Sequence, residues 1–140
     1  MTMTVHVDIV SAEKEIFSGL AEMVFASAEL GEVGIAPRHA PFISKLNPGE
    51  VRVIINDREN ESFYVSGGLL EVQPHVVTVL ADTAIRAKDI DEAAALEAKA
   101  KAEEALTDKT GKIDYAKAQA QLAEAIMQLR TLDKLRKRGS

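Results

Sequence analysis

The chain has 140 residues, of which 46% are hydrophobic, with no cysteine and a net charge of −5. That length supports one ordinary domain or a small domain with an appendage, and the lack of cysteine removes disulfides and thiolate metal sites, as suits a reducing compartment. No run of about 18 apolar residues is present to span a membrane, and the opening MTMTVHVDIVSAEKE lacks the basic start and apolar run of a signal peptide.

From the N-terminus to about residue 84 the pattern is that of short strands. Val5, Val7 and Ile9 alternate with His6, Asp8 and Val10, and LAEMVFASA, GEVRVIIN, SFYVSGGLLEV and HVVTVLAD repeat β-branched and aromatic residues at period two. Turn formers separate them: Gly31, Gly34, Pro37, Pro41, Asn47-Pro48-Gly49, Asn56-Asp57, Gly67-Gly68 and Pro74. Eight or more strands broken every 8–12 residues or so predict a β-sandwich or flattened barrel.

Beyond residue 88 the composition changes to Ala, Glu, Lys, Gln and Leu, the strongest helix formers. DIDEAAALEAKAKAEEAL and DYAKAQAQLAEAIMQLRTLDKL predict two helices, with Asp89 or Asp91 capping the first, Asp114 capping the second, and Gly111 in the turn between them. The second helix carries a thin apolar stripe, Leu122, Ile126 and Leu129, continued approximately by Leu132 and Leu135. Most other apolar positions are alanine, which buries little area. Two arrangements fit this composition: a fixed, close-packed hairpin, or a pair of helices stable enough alone to leave the strand domain without unfolding.

Charge divides the chain at the same place. Residues 1–88 carry 7 basic and 12 acidic side chains, residues 89–108 carry 2 and 7, and residues 109–140 carry 8 and 3, so the segments have charges of −5, −5 and +5. The positive end is concentrated in Arg130, Lys134, Arg136, Lys137 and Arg138. A sequence pI near 5.2 opposes nucleic-acid binding, which needs a broad positive footprint. Macrodipole compensation at a helix C-terminus, about 0.3–1 kcal/mol per group, accounts for some of these cations but does not require five.

These stretches, HVDIVSAEKEIFSGL, GEVGIAPRHAPFISKLNPGEVRV, FYVSGGLLEVQPHVVTVLADTAIR and the helical pair after them, resemble the epsilon subunit of bacterial F-type ATP synthases along the whole chain. The resemblance implies an α+β fold: an N-terminal ten-stranded β-sandwich over residues 1–86, then a C-terminal antiparallel two-helix hairpin over residues 87–140. It implies a non-catalytic rotor and regulatory subunit of the central stalk, at the cytoplasmic face of the bacterial inner membrane and peripheral to it. The implied partners are the gamma subunit, the polar loops of the c-ring and, with the hairpin extended, the beta and alpha subunits of the catalytic head.

By motif, Glu32 in GEVGI is similar to the acidic residue at the c-ring end, and Ser11, His39 and Ser44 to positions near the gamma or c-ring contacts. The resemblance also implies that the final helix, with Leu122, Ile126, Leu129, Arg130, Lys134, Arg136, Lys137 and Arg138, enters the head and blocks ATP hydrolysis. Relatives that bind ATP on this subunit carry Ile or Leu, Asp, two variable residues, Arg and Ala at the start of the first helix. Here Ile90 and Asp91 are followed by Ala94 in the arginine position. A methyl group cannot replace the bidentate guanidinium contact to phosphate, so ATP binding is expected to be weak or absent and no cofactor is expected.

The remaining residues supply no catalytic constellation. His6, His39 and His75 stand far apart with no metal-ligand spacing, DKTGKID lacks the full phosphate-binding loop, and VSGGLL is not a nucleophile elbow. Its glycines instead predict a bend or a close backbone approach. The alternative, from a different class, is a free-standing β-sandwich binding module with a helical dimerisation tail.

Overall fold

The computed structural model describes residues 3–139; Met1, Thr2 and Ser140, at the outer ends of the two expected domains, lie outside them. Among the described residues nine strands precede two helices: β1 (Val5–Ser11), β2 (Glu15–Ala21), β3 (Met23–Ala28), β4 (Gly31–Ile35), β5 (Phe42–Ile54), β6 (Asn60–Val65), β7 (Gly68–Val72), β8 (Val76–Ala81) and β9 (Ala84–Arg86). A single 3-10 turn, Ala87–Asp89, leads to α1 (Glu92–Leu106) and α2 (Tyr115–Gly139).

The strands run in the order β2-β1-β8-β7-β5-β3-β4, with β6 pairing β5 and β9. Every pairing is antiparallel except β1 with β8. The 13-residue β5 belongs to both layers of the sandwich: Phe42–Leu46 pair with β7, and Gly49–Ile54 pair with β6. These registers skip Asn47 and Pro48, as expected where proline cannot donate to a ladder, and the Asn47 amide donates instead to the Ala28 carbonyl at 3.1 Å. Counting the two halves of β5 separately gives the ten strands that the resemblance implies.

Alternation fills the core as the period-two pattern predicts. Val5, Val7 and Ile9 of β1 meet Val77 and Val79 of β8, Leu70 and Val72 of β7, and Val51 and Val53 of β5, all fully buried. Gly67 and Gly68 split the SFYVSGGLLEV run into β6 and β7. Gly68 has a φ of +140°, and a side chain there would collide with the Leu80 carbonyl, so both the backbone angle and the close approach require glycine.

Strand β6 departs from alternation: Ser62, Phe63, Tyr64 and Val65 are all buried. Phe63 and Val65 face the sandwich core, whereas Tyr64 enters a second cluster with Ala87, Ile90 and Leu132, lined by Ile85, Met127 and Leu135. That second cluster is the seat of the hairpin. Met127 passes over Gly49, where an added methyl group would be crowded by Ser27 of β3 at 3.0 Å and in ordinary contact with the Met127 methyl at 3.5 Å.

The helices are capped as expected: Asp91 accepts from the Ala94 amide and Asp114 from the Lys117 amide, both at 3.1 Å. Gly111 takes φ +76° in the intervening turn. Their mutual seam is made of alanine, with Ala95 and Ala102 on α1 and Ala118 and Ala125 on α2 all buried, each pair seven residues apart. Leu132, a further seven residues on, carries the same face of α2 onto the sandwich. Leu122, Ile126 and Leu129, the stripe read from sequence, are only half-buried, because heptad spacing from Ala118 centres the seam on Ala125 and Leu132 instead.

Candidate functional site

The cationic end of α2 is held against the rest of the chain. With 25 residues α2 is about 37 Å long, enough to pass along α1 and reach β5. There Arg138 grips Glu50 with both nitrogens, Nη1 donating to Oε2 at 2.6 Å and Nη2 to Oε1 at 2.7 Å. The Ser62 hydroxyl donates to the same carboxylate from β6. In the same turn Arg136 pairs with Glu92, the first residue of α1, and Lys137 pairs with Asp133 at 3.1 Å.

Electrostatics follow from that geometry. Burial alone would raise the Glu50 carboxyl, but hydrogen bonds from Arg138 and Ser62, with the charges of Arg138 and Lys134, hold it below the ordinary value of 4.5. The Glu50 hydrogen bond in turn pushes the Arg138 guanidinium up, with the Glu32 carboxylate contributing from β4. Arg136 likewise holds Glu92 low. Three of the five cations assigned to contacts in the extended state, Arg136, Lys137 and Arg138, are therefore engaged inside the chain here, while Arg130 lies on the exposed face of α2.

Beneath this ionic edge lies the Tyr64 cluster. The Tyr64 hydroxyl is buried and has no hydrogen-bond partner among the described residues. Burial and, secondarily, the Glu124 carboxylate push its ionisation well above the usual phenol range, so the group stays neutral. Arg86 anchors the root of the hairpin: it pairs with Glu61 at 2.6 Å, donates to the Ile16 carbonyl at 3.0 Å, and lies over the Phe63 ring.

The residues suggested for partner contacts are spread over the sandwich. Glu32 is exposed on β4, opposite Ser27 and next to the turn bearing fully exposed Leu30. His39 precedes β5, with Nδ1 2.8 Å from the Ala40 carbonyl and its ring edge-on to Phe42. Ser44 sits opposite buried Leu70, and Ser11, at the end of β1, opposite buried Ala81. Between them sequence reasoning missed apolar side chains on the outward face: half-buried Leu69 directly opposite exposed Leu80, exposed Ile43 on the next strand opposite Glu71, and Leu20 exposed on β2. Its signal was available in strands whose polar-face positions are leucine or isoleucine.

Two arrangements invite a chemical reading and do not support it. His6, Asp8 and Ser18 cluster on β1 and β2, but Nε2 of His6 faces both Asp8 Oδ1 (2.9 Å) and Ser18 Oγ (3.2 Å), whereas a relay needs one ring nitrogen for each. A cleft of about 400 Å³ between the helices is lined by Ala94, Ala95, Ala98, Lys101, Gln121 and Glu124, among others. Asp91 is occupied as the cap of α1, and Ile90 is in the docking cluster. No group of three or more metal-ligating side chains occurs among the described residues.

Comparison with known proteins agrees with this architecture. Residues 4–87 match the family model "ATP synthase, Delta/Epsilon chain, beta-sandwich domain", and residues 88–133 match its "long alpha-helix domain". The ATP synthase epsilon chain of Nitrosococcus oceani is 68% identical over 138 residues, covering 99% of each chain. ATP synthase epsilon chain 1 of Methylococcus capsulatus is 69% identical over 137 residues, covering 98% of each. Among solved structures, a chain of the Euglena gracilis mitochondrial ATP synthase OSCP/F1/c-ring assembly superposes with a TM-score of 0.73 at 16% identity, over 98% of this chain and 82% of that one. A chain of the Tetrahymena thermophila mitochondrial ATP synthase central stalk and c-ring gives 0.60 at 12% identity, over 94% and 98%, so that the fold is shared where sequence has diverged. A sandwich and a helical hairpin each matched by its own family domain, with near full-length relatives well above half identical, establish that the chain belongs to the ATP synthase delta/epsilon family as an epsilon subunit of the bacterial F-type.

Proposed function

We propose that this subunit couples c-ring rotation to the catalytic head together with gamma, and restrains ATP hydrolysis through a hairpin that leaves its seat. It performs no catalysis itself. The observation that carries this reading is the division of forces in the hairpin. The two helices hold each other through their own alanine seam and the Arg136–Glu92 pair, each with its own cap, yet meet the sandwich mainly through one small apolar cluster and the Arg138–Glu50 pair. Detachment therefore exposes a limited area and leaves both helices intact.

The partner surfaces follow from exposure. Exposed Ile43, Leu80 and Phe42, with half-buried Leu69 opposite Leu80, suit a protein partner such as gamma, and the Leu30–Glu32 tip suits the polar loops of the c-ring. In the extended state Arg130, Lys134, Arg136, Lys137 and Arg138 face acidic surfaces of the alpha and beta subunits. The complex holds the subunit at the cytoplasmic face of the inner membrane. Deleting residues 130–140 and measuring ATP hydrolysis by the assembled enzyme tests the regulatory part: activity should rise, and an unchanged rate refutes it.

Nucleotide is not needed to seat the hairpin. With Ala94 in place of the motif arginine and Asp91 committed to the cap, the subunit binds ATP weakly or not at all. Micromolar affinity in a calorimetric titration of the isolated subunit would overturn this.

A further inference from the structure

We propose that Glu50, together with Ser62 and Glu92, forms an internal arginine receptor that competes with external acidic surfaces for the tip of α2. The proposal rests on the reading that α2 detaches, and it identifies what the chain itself sets against that step.

Three features make this a receptor rather than a chance surface pair. Both Glu50 oxygens are used, each by a different Arg138 nitrogen, and this planar fork-to-fork geometry is specific to arginine. Only 9% of the Glu50 side chain is exposed, against 30% of Arg138, so the carboxylate is largely withdrawn from water and from salt. The carboxylate is also fixed from behind by the Ser62 hydroxyl, and Ser62 is itself buried in β6. Removing the guanidinium would leave that carboxylate with one neutral hydrogen-bond donor and Lys134 at longer range.

The second site, Glu92, takes Arg136 at the opposite edge of the same helical turn. It is more exposed and supplies register more than holding power. Together the two carboxylates bind, in the seated hairpin, the same cations that an acidic partner would need. An arginine cannot satisfy both at once, so pairing with a carboxylate of the partner requires breaking the pair made within the chain. The receptor thereby sets a threshold: a partner must offer the tip a better carboxylate arrangement than Glu50 does.

The experiment uses the intact chain first. Amide exchange across residues 115–139 is measured for the unaltered protein, Glu50→Gln, Arg138→Ala and the double variant. Loss of a charge-assisted bidentate pair, discounted for its partial exposure, should speed exchange through seat opening about tenfold in each single variant, with strands β1 and β8 unaffected. The double variant should be no faster than the faster single. Unchanged exchange in Arg138→Ala, or effects that multiply, would overturn the receptor. Arg138→Ala reads the same bond from a helix end, so the answer does not depend on Glu50→Gln folding well.

In the assembled synthase, Glu50→Gln should lower ATP hydrolysis, because it frees Arg138 for the head. Arg138→Ala should lower it less, since that change removes both the internal and the external pairing. Faster exchange with unchanged hydrolysis in Glu50→Gln would overturn the competition. If deletion of residues 130–140 leaves hydrolysis unchanged, the detachment reading fails, whereas the exchange data report on the receptor independently.

Discussion

Replacing Tyr64 by phenylalanine should fasten the hairpin more tightly, against the usual expectation that deleting a buried polar atom weakens a protein. The phenol ring lies in an apolar cluster, to which α2 contributes Met127, Leu132 and Leu135, and its hydroxyl, within the field of the Glu124 carboxylate, has no hydrogen-bond partner among the described residues. A buried donor left unpaired costs about 1–3 kcal/mol, and that cost falls on the seated state alone, because water reaches the group once α2 departs. Phenylalanine keeps the ring and removes the cost. Taking about 1–2 kcal/mol, the population of the detached hairpin should fall roughly five- to thirtyfold. Amide exchange through residues 115–139 should slow by that factor, while strands β1 and β8 exchange as before. Hydrolysis by the assembled enzyme should become less inhibited. Faster exchange in the variant would refute the reasoning, since it would mean that the hydroxyl is bonded in solution.

Leu132→Ala acts in the opposite direction: it empties the centre of the docking cluster and should cost about 2–3 kcal/mol of seating, seen as faster exchange in α2 with the sandwich melting unchanged. Acidification should also loosen the hairpin. The Glu50 carboxyl is held low by Arg138 and Ser62 against the opposing effect of burial, so its contribution is complete above the ordinary value of 4.5 and is lost as pH falls through the lowered one. The groups that face it are Arg138 and Lys134 from α2 and Ser62 from β6, none of which changes charge in that range, and exchange measured from about pH 6 downward should accelerate only at the acid end. Gly68→Ala combines a disfavoured backbone angle with a collision against the Leu80 carbonyl; a loss of about 2–4 kcal/mol in urea unfolding is expected, and a loss under about 0.5 kcal/mol would contradict the close approach.

Some of this molecule was legible in its sequence for plain physical reasons. Val5, Val7 and Ile9 announce β1 because one side of that strand meets the core and the other meets water. Asp91 and Asp114 announce the helix starts because only a short acceptor side chain satisfies first-turn amides. The glycine pair at 67–68 was readable as a close approach, although which carbonyl it approaches was not. Other features depend on contacts that no local pattern encodes. Glu50 and Arg138 are 88 positions apart, and each alone reads as a solvated charge. Tyr64 looks like an ordinary strand aromatic until α2 is laid over it. The alanine seam was visible as a seven-residue spacing, Ala118, Ala125 and Leu132, but larger side chains nearby drew the stripe to Leu122, Ile126 and Leu129. The uninterrupted SFYV run was a further signal, since four buried residues in sequence require cover on both faces of the strand.

Strand β5 has a mechanical consequence. Because a single stretch of backbone is stitched into one layer by Phe42–Leu46 and into the other by Gly49–Ile54, the layers cannot slide past each other without tearing ladder bonds on both sides. A push delivered at the Leu30–Glu32 tip passes from β4 through β3 into β5, and from there to β7 and β8, along continuous rungs. The base thus behaves as a stiff block under load, and compliance is left to the helices it carries.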